Sequence, residues 1–204
     1  QLGIMSTALK HVYEAIPRDT WKPGDVMVCN DPYKGCTHTM DIVLFSPVFV
    51  DGELVAVTST IAHHVDIGGK IPGTEAADNQ EIFAEGLILP PLRLVDGGKP
   101  VQAIFDIVAA NVRDPRGNLG DLRAQIAGCR TGERRIAELW KRYGNDAAAA
   151  LTQSCLDYAE TYMRRVLSEM PDGTFEAEVL MEDDVATDDP IRIRVAVTVA
   201  GDEL

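Results

Sequence analysis

The sequence predicts an α+β fold: a mixed or antiparallel sheet, a helical segment after it, and the start of a second β layer. Three observations carry this. Apolar and β-branched runs separated by Gly, Pro and Asp turns fill roughly the first half of the chain. Apolar residues at helical spacing follow, as in Leu122, Ile126 and Cys129. Near the end, Ile191 to Val199 alternates with the period of a half-buried strand. The expected regions are a β-rich part over 1–102 carrying a candidate metal site, helices over 103–172, and a truncated second β segment over 173–204.

Element by element, Ser6 or Thr7 caps a short helix through His11 to Ile16, stopped by Pro17. Trp21 to Gly24 turns the chain, and Asp25 to Cys29 is a strand that delivers Asn30-Asp31-Pro32 to its end. The loop Gly35-Cys36-Thr37-His38 leads into a strand over Met40 to Phe45, which Ser46-Pro47 interrupts. Val48 to Val50 and Leu54 to Val57 then flank Asp51-Gly52, a strong hairpin signal. The second arm runs on to Ala62 and hands over His63, so both His/Asp motifs sit at strand ends or adjoining loops.

A loop with Gly68, Gly69, Pro72 and Gly73 and an acidic stretch with Glu75, Asp78, Glu81 and Glu85 come next. Pro90 to Leu94 is a short extended piece ending at Asp96-Gly97-Gly98. Helices are expected over Ala103 to Val112, Asp121 to Tyr143 and Asp146 to Met170, the last ended by Pro171-Asp172-Gly173. Gly128 and Gly132 interrupt the middle helix, for tight packing or as a kink. Thr174 to Leu180 resumes as strand. Both ends read as cut: Gln1 is not a starting methionine, and Gly201-Asp202 resembles a hairpin turn without its second arm.

Composition excludes several classes. With 204 residues and 46% hydrophobic content the chain is one large domain or two small ones with a real core. Its net charge of -13 argues against a nucleic-acid partner. The longest apolar run, around Ile42 to Phe45, is far short of a membrane span, and no signal peptide is visible at Gln1. Cys29, Cys36, Cys129 and Cys155 show no CxxC spacing, which reads as reduced thiols in a cytoplasmic protein. Cys29 and Cys36 read as small packing residues more readily than as ligands.

Three of the four histidines, His38, His63 and His64, each lie within three residues of an aspartate. Histidine with carboxylate is the usual donor set for a borderline divalent metal such as zinc, manganese or iron. His38, Asp41 and His63 are the candidate ligands, with Asp66 or His64 also in play. On a strand His63 and His64 point opposite ways, so one of the two faces the site, and His63 is preferred. Asp66 is a candidate ligand, a carboxylate orienting a histidine, or a general base. Asp31 is either an Asx turn or a catalytic carboxylate aimed from a strand end. Gly68-Gly69 lets backbone amides approach an oxyanion or is simply a tight turn. Asn111 and Arg113, with Arg116, are candidates for holding an acidic substrate or a phosphate; in the plainer reading the arginines are solvated or paired with Asp106, Asp114 or Asp121. Lys141-Arg142 and Arg164-Arg165 read as solvated helix faces.

Gly24-Asp25-Val26, Asn30-Asp31-Pro32-Tyr33-x-Gly35, Thr37-His38-x-x-Asp41, Ala62-His63-His64-x-Asp66-Ile67-Gly68-Gly69 and Pro72-Gly73 stand in the order and spacing of the hydantoinase B family. Glu85-Gly86-Leu87-x-x-Pro90-Pro91, Asn111-Val112-Arg113 and Gly117-x-x-x-Asp121-Leu122-x-Ala124-Gln125 resemble it too. That family includes the B-type component of ATP-dependent N-methylhydantoinase, the C-terminal half of 5-oxoprolinase, and a component of acetone and acetophenone carboxylases. The chain resembles an internal piece of such proteins.

The resemblance implies that a partner hydantoinase A-like subunit or domain uses ATP to activate a cyclic amide, and that the B-type component hydrolyses the activated intermediate at a metal-containing site. ATP then reaches the reaction only through the partner, since no Gly-x-x-x-x-Gly-Lys-Ser/Thr loop is present, and the assembly is a hetero-oligomer. It also implies a further acidic ligand from a segment absent here, and a histidine where Gln1 stands, so this piece by itself is not expected to be active. Two rivals stand beside the cyclic-amide reading: a carboxylase-type ligase of the acetone or acetophenone kind, and a non-catalytic structural piece.

Overall fold

The computed structural model describes residues 3–74, 76–181 and 189–204; Gln1 and Glu75, named above, lie outside them. Its elements are helices α1 (Ile4–Ala15), α2 (Gln102–Asn111), α3 (Pro115–Tyr143) and α4 (Asn145–Ser168), and strands β1 (Val26–Cys29), β2 (Asp41–Val50), β3 (Glu53–His63), β4 (Leu92–Asp96), β5 (Lys99–Pro100), β6 (Gly173–Met181) and β7 (Ile191–Val199). The α+β expectation holds. The chain divides into two compact units, Gln1–Arg142 and Tyr143–Leu204, so the helical stretch 103–172 is shared between them.

In the first unit, five strands form an antiparallel sheet in the order β3-β2-β1-β4-β5. β1 is buried along its whole length because helices cover both faces. Val26 and Val28, with Ile42, Leu44 and Leu94, meet Phe105, Val108 and Leu122 from α2 and α3. Met27 and Cys29, with Val43 and Phe45, meet Ala8 and Val12 of α1 and Trp21. α1 begins at Ile4 rather than at a Ser6 or Thr7 cap, and Ser6 donates back to the Gly3 carbonyl. Its far end is closed by the Trp21 indole N–H, which donates to the Ile16 carbonyl at 2.9 Å.

Three boundaries differ from expectation for identifiable reasons. Ser46-Pro47 does not break β2, because that strand has run past the end of β1 and pairs there only with β3. α3 starts at Pro115 instead of Asp121: Asp114 accepts from the Gly117 N–H at 3.0 Å, and Pro115 occupies the first helical position. Lys99–Pro100 adds a short strand after the Gly97-Gly98 turn.

The β2–β3 hairpin turns at Asp51 and Gly52 with φ of 51° and 87°, the left-handed pair expected of an Asp-Gly turn. A one-residue bulge lies just beyond: Phe49 pairs with Leu54, but Val48 pairs with Ala56, leaving Val55 unmatched. The glycines of α3 serve close packing. A Cβ on Gly128 would stand 3.2 Å, and one on Gly132 2.7 Å, from the methyls of Thr60 and Thr58 on β3.

The second unit holds α4 and the antiparallel β6–β7 ribbon, whose ladder runs from Gly173 opposite Val199 to Met181 opposite Ile191. One face carries Phe175, Ala177, Val179 and Met181 with their partners Val197, Val195, Ile193 and Ile191. The other carries the Glu176–Arg194 and Glu178–Arg192 ion pairs. After β7, Ala200 and Glu203 close the Gly201-Asp202 turn by an isolated bridge.

Candidate functional site

The site is assembled at the end of the sheet where β1 gives out and the β2–β3 ladder closes. Asn30, fully buried, ties three segments together there. Its amide donates to the carbonyls of Thr39 and Leu87, and its oxygen accepts from the Leu89 N–H at 2.6 Å. Asp31 is an Asx turn: it accepts from the Tyr33 N–H at 2.9 Å and caps the 3-10 turn Pro32–Lys34. Gly35, at φ 88°, presses against α1, where a Cβ would come within 2.8 Å of the Ala8 nitrogen.

His38 and Asp41 are joined by a tight turn in which the Asp41 N–H donates to the His38 carbonyl at 3.0 Å. Asp41 opens β2 and stands directly opposite His63, the last residue of β3. Their side chains meet at 2.8 Å, His63 Nδ1 to Asp41 Oδ1, with Asp41 buried and His63 half exposed. The His38 ring lies edge-on to the His63 ring, centroids 5.9 Å apart. His38, Asp41 and His63 are therefore neighbours rather than on opposite faces of the sheet.

His64 faces the other way. It is fully buried under α3, with Nδ1 3.0 Å from Asn118 Oδ1 and Nε2 3.0 Å from Gln125 Oε1. Both amides are oriented by donating to backbone, Asn118 to the Asp114 carbonyl and Gln125 to the Ile42 carbonyl. Both ring nitrogens are thereby occupied, and the histidine ties the end of β3 to α3. Gln125 has no assigned role in the sequence alone; its spacing of seven from Asn118, two turns on one helix face, was the available signal.

Asp66 and Arg113 are spent on one another. Asp66 accepts from the Gly68 N–H, the Arg113 N–H and the Arg113 guanidinium at 3.1, 2.7 and 2.8 Å. Burial pushes its carboxyl up, but the Arg113 backbone and guanidinium and the Gly68 N–H more than offset this, holding it below the usual carboxylate range. A carboxylate held so is a weak base. The guanidinium also donates to the Gly68 and Gly69 carbonyls, so Arg113 fixes the loop and its partner is Asp66, not Asp106, Asp114 or Asp121. Gly68 packs so close to the end of α2 that a Cβ would stand 2.4 Å from the Asn111 carbonyl oxygen. The Asn111 side chain itself donates to the Ile107 carbonyl of its own helix. Arg116 is exposed in the first turn of α3.

Cys29 and Cys36 lie together in the apolar cluster under α1. The hydrogen bond they share lowers the Cys29 thiol pKa and raises that of Cys36, with burial adding to the rise at Cys36. Among the described residues no three His, Cys, Asp or Glu side chains close on one point suited to a metal. The donor chemistry at His38 and His63 nonetheless suits a borderline divalent ion, and a carboxylate behind an imidazole is the arrangement that orients metal-binding histidines.

The Hydantoinase B/oxoprolinase family model matches residues 1–204. A Pseudomonas sp. (strain NS671) protein, named as the B component of a D-/L-hydantoinase, is 37% identical over 191 residues, covering 91% of this chain and 32% of its own. The beta chain of the Pseudomonas jessenii caprolactamase is 37% identical over 202 residues, 99% of this chain and 35% of the relative. The crystal structure of the ATP-dependent caprolactamase from that organism matches with a TM-score of 0.94 at 35% identity, over 100% of this chain and 35% of that one. A nucleotide-free acetone carboxylase shares the fold, with a TM-score of 0.85 at 21% identity over 98% of this chain and 28% of that one. The chain thus spans about a third of the length of the curated relatives it matches. A match running the whole length of the sequence, joined to near-identity of fold with a caprolactamase chain, makes this chain a member of the hydantoinase B/oxoprolinase family.

Proposed function

We propose that the chain is part of the B-type component of an ATP-dependent cyclic-amide hydrolase, acting on hydantoin-, N-methylhydantoin- or 5-oxoproline-type rings, in which His38 and His63 hold a divalent metal with Asp41 beside them. The observation that carries this is the meeting of His38 and His63 next to the buried Asp41 carboxylate, on residues drawn from two strand ends. A bound zinc, manganese or iron ion would supply charge stabilisation and a nucleophilic water at neutral pH. Asp41 accepts the His63 Nδ1 proton and so leaves Nε2 as the donor nitrogen. Asp66 and Arg113 hold the 66–69 loop in place behind it. The names of the hydantoinase and caprolactamase relatives support the cyclic-amide class, whereas the acetone carboxylase, at 21% identity, supports the fold alone.

ATP enters through a hydantoinase A-like partner, since this chain has no phosphate-binding Gly-Lys loop, and the working enzyme is a hetero-oligomer. Four free cysteines fit a reducing cytoplasm. Among the described residues no helix is long and apolar enough to cross a membrane. The test is elemental analysis of the full-length chain with its partner, alongside ATP-dependent turnover of hydantoin, N-methylhydantoin, 5-oxoproline and caprolactam. Metal bound in a His63-dependent way with hydrolysis of a cyclic amide is the expected result. Bicarbonate-dependent consumption of a ketone instead, or full activity without metal, would overturn the reading.

A further inference from the structure

Beside His38 a cavity of about 460 Å³ opens, lined in part by Tyr33, Thr37 and Asn79. That volume lies in the range of small-molecule sites. Among the described residues, buried side-chain polar atoms without a hydrogen-bond partner are Ser59 Oγ and Asn79 Oδ1, and only Asn79 lines this cavity. The backbone of Asn79 is anchored, its N–H donating to the Ala76 carbonyl at 3.1 Å, while its carboxamide oxygen has no donor. An acceptor withdrawn from water without a partner is unfavourable, and native proteins keep few of them. The terminal torsion of an asparagine is soft, so rotation of the carboxamide can turn this oxygen toward a ligand.

We propose that Asn79 positions the substrate: its carboxamide oxygen accepts the ring N–H of a cyclic amide seated in the cavity beside His38. This rests on the cyclic-amide reading above. A lactam or imide offers a donor one bond away from the carbonyl carbon that is attacked, and a ketone offers none. Holding that proton fixes the ring's rotation in the pocket and keeps the hydrogen on nitrogen, so the adjacent carbon stays electrophilic. The site then selects rings that are unsubstituted at the nitrogen next to the cleaved carbonyl, because a methyl there leaves the oxygen buried and unpaired.

The experiment uses the full-length chain with its ATP-using partner. For the cyclic amide turned over best, kcat/KM is compared with that of the analogue methylated on the ring nitrogen beside the cleaved carbonyl. Asn79→Ala should lower the wild-type preference for the N–H ring by about tenfold, the scale of one buried hydrogen bond. Asn79→Asp, which keeps an acceptor oxygen, should restore it. Any selectivity exercised by the partner is common to all variants, so the change in ratio isolates the contribution of Asn79. A ratio unmoved by Asn79→Ala, or lost equally in Asn79→Asp, overturns the proposal while leaving cyclic-amide hydrolysis intact. Failure of the wild-type assembly to consume any cyclic amide overturns the functional reading, and this inference with it.

Discussion

Asp41 and His63 face one another across the β2–β3 ladder, and the buried carboxylate accepts the imidazole Nδ1 proton at 2.8 Å. Asp41→Asn should preserve the fold while removing the charge that sets the tautomer and basicity of His63. Metal affinity, measured by competition with a chelator, should fall about 10- to 100-fold. His63→Ala should abolish metal binding and turnover, and ATP consumption by the partner should persist in both. Unchanged metal affinity in His63→Ala would rule this ligand out.

The neighbouring histidine has the opposite profile. His64→Ala removes a fully buried ring whose two nitrogens lie 3.0 Å from the Asn118 and Gln125 side chains, so it should destabilise by about 2–5 kcal/mol. His63→Ala, at a half-exposed ring, should cost about 1 kcal/mol. His64, the residue not preferred for the site, is thus the costlier of the two for folding. Urea unfolding midpoints of the two variants, measured side by side, decide this.

Asp66 predicts an acid limb in the stability profile. Its carboxyl is held below the ordinary range in the folded state, so the unfolded chain binds the proton more readily. The stabilisation is therefore complete above about pH 4, the unfolded carboxylate value, and is lost as pH falls through the lower folded value. Unfolding midpoints from about pH 6 down to pH 2.5 should fall more steeply for wild type than for Asp66→Asn. Parallel curves would show that Asp66 contributes nothing to the acid limb.

Two glycines on one helix should respond with opposite signs. Gly132→Ala drives a methyl to 2.7 Å from the Thr58 methyl and should cost about 1–3 kcal/mol. Gly120→Ala meets nothing within 4 Å and should gain about 0.5–1 kcal/mol from helix propensity. Thermal melts of the two variants distinguish a packing role for Gly132 from a generic glycine effect.

The legible parts of this chain were those set by near neighbours. The Asp51-Gly52 turn and the strand over Ile191 to Val199 are local, and each is seen in the structure. What escaped depends on contacts far along the chain. Pro47 stays in strand because β1 has already ended beside it. Arg113 looked like a substrate residue because its partner, Asp66, lies 47 positions away in sequence. The occupation of His64 is owed to Asn118 and Gln125, residues 54 and 61 positions away on a helix whose Asp114-Pro115 start was itself overlooked. The apolar face of the β6–β7 ribbon was expected from its alternation, yet residues such as Val179 and Val195 are exposed.

The unmatched Val55 gives the hairpin the character of a measuring device. On the turn side of the bulge Val50 pairs with Glu53, and on the far side every pairing is advanced by one, which is how Asp41 comes to meet His63 and not Ala62. Ironing out the bulge with the turn and the chain length unchanged would slide β3 by one step and exchange its two faces, presenting Ala62 where His63 now stands. Removing Ser59 while the bulge stays would exchange the faces in the other sense and bring His64 opposite Asp41. Removing Val55 itself would straighten the strand and leave Asp41 opposite His63. The chemistry at one end of the hairpin is thus a matter of counting from the other, and lengths that preserve the count are the ones this architecture tolerates.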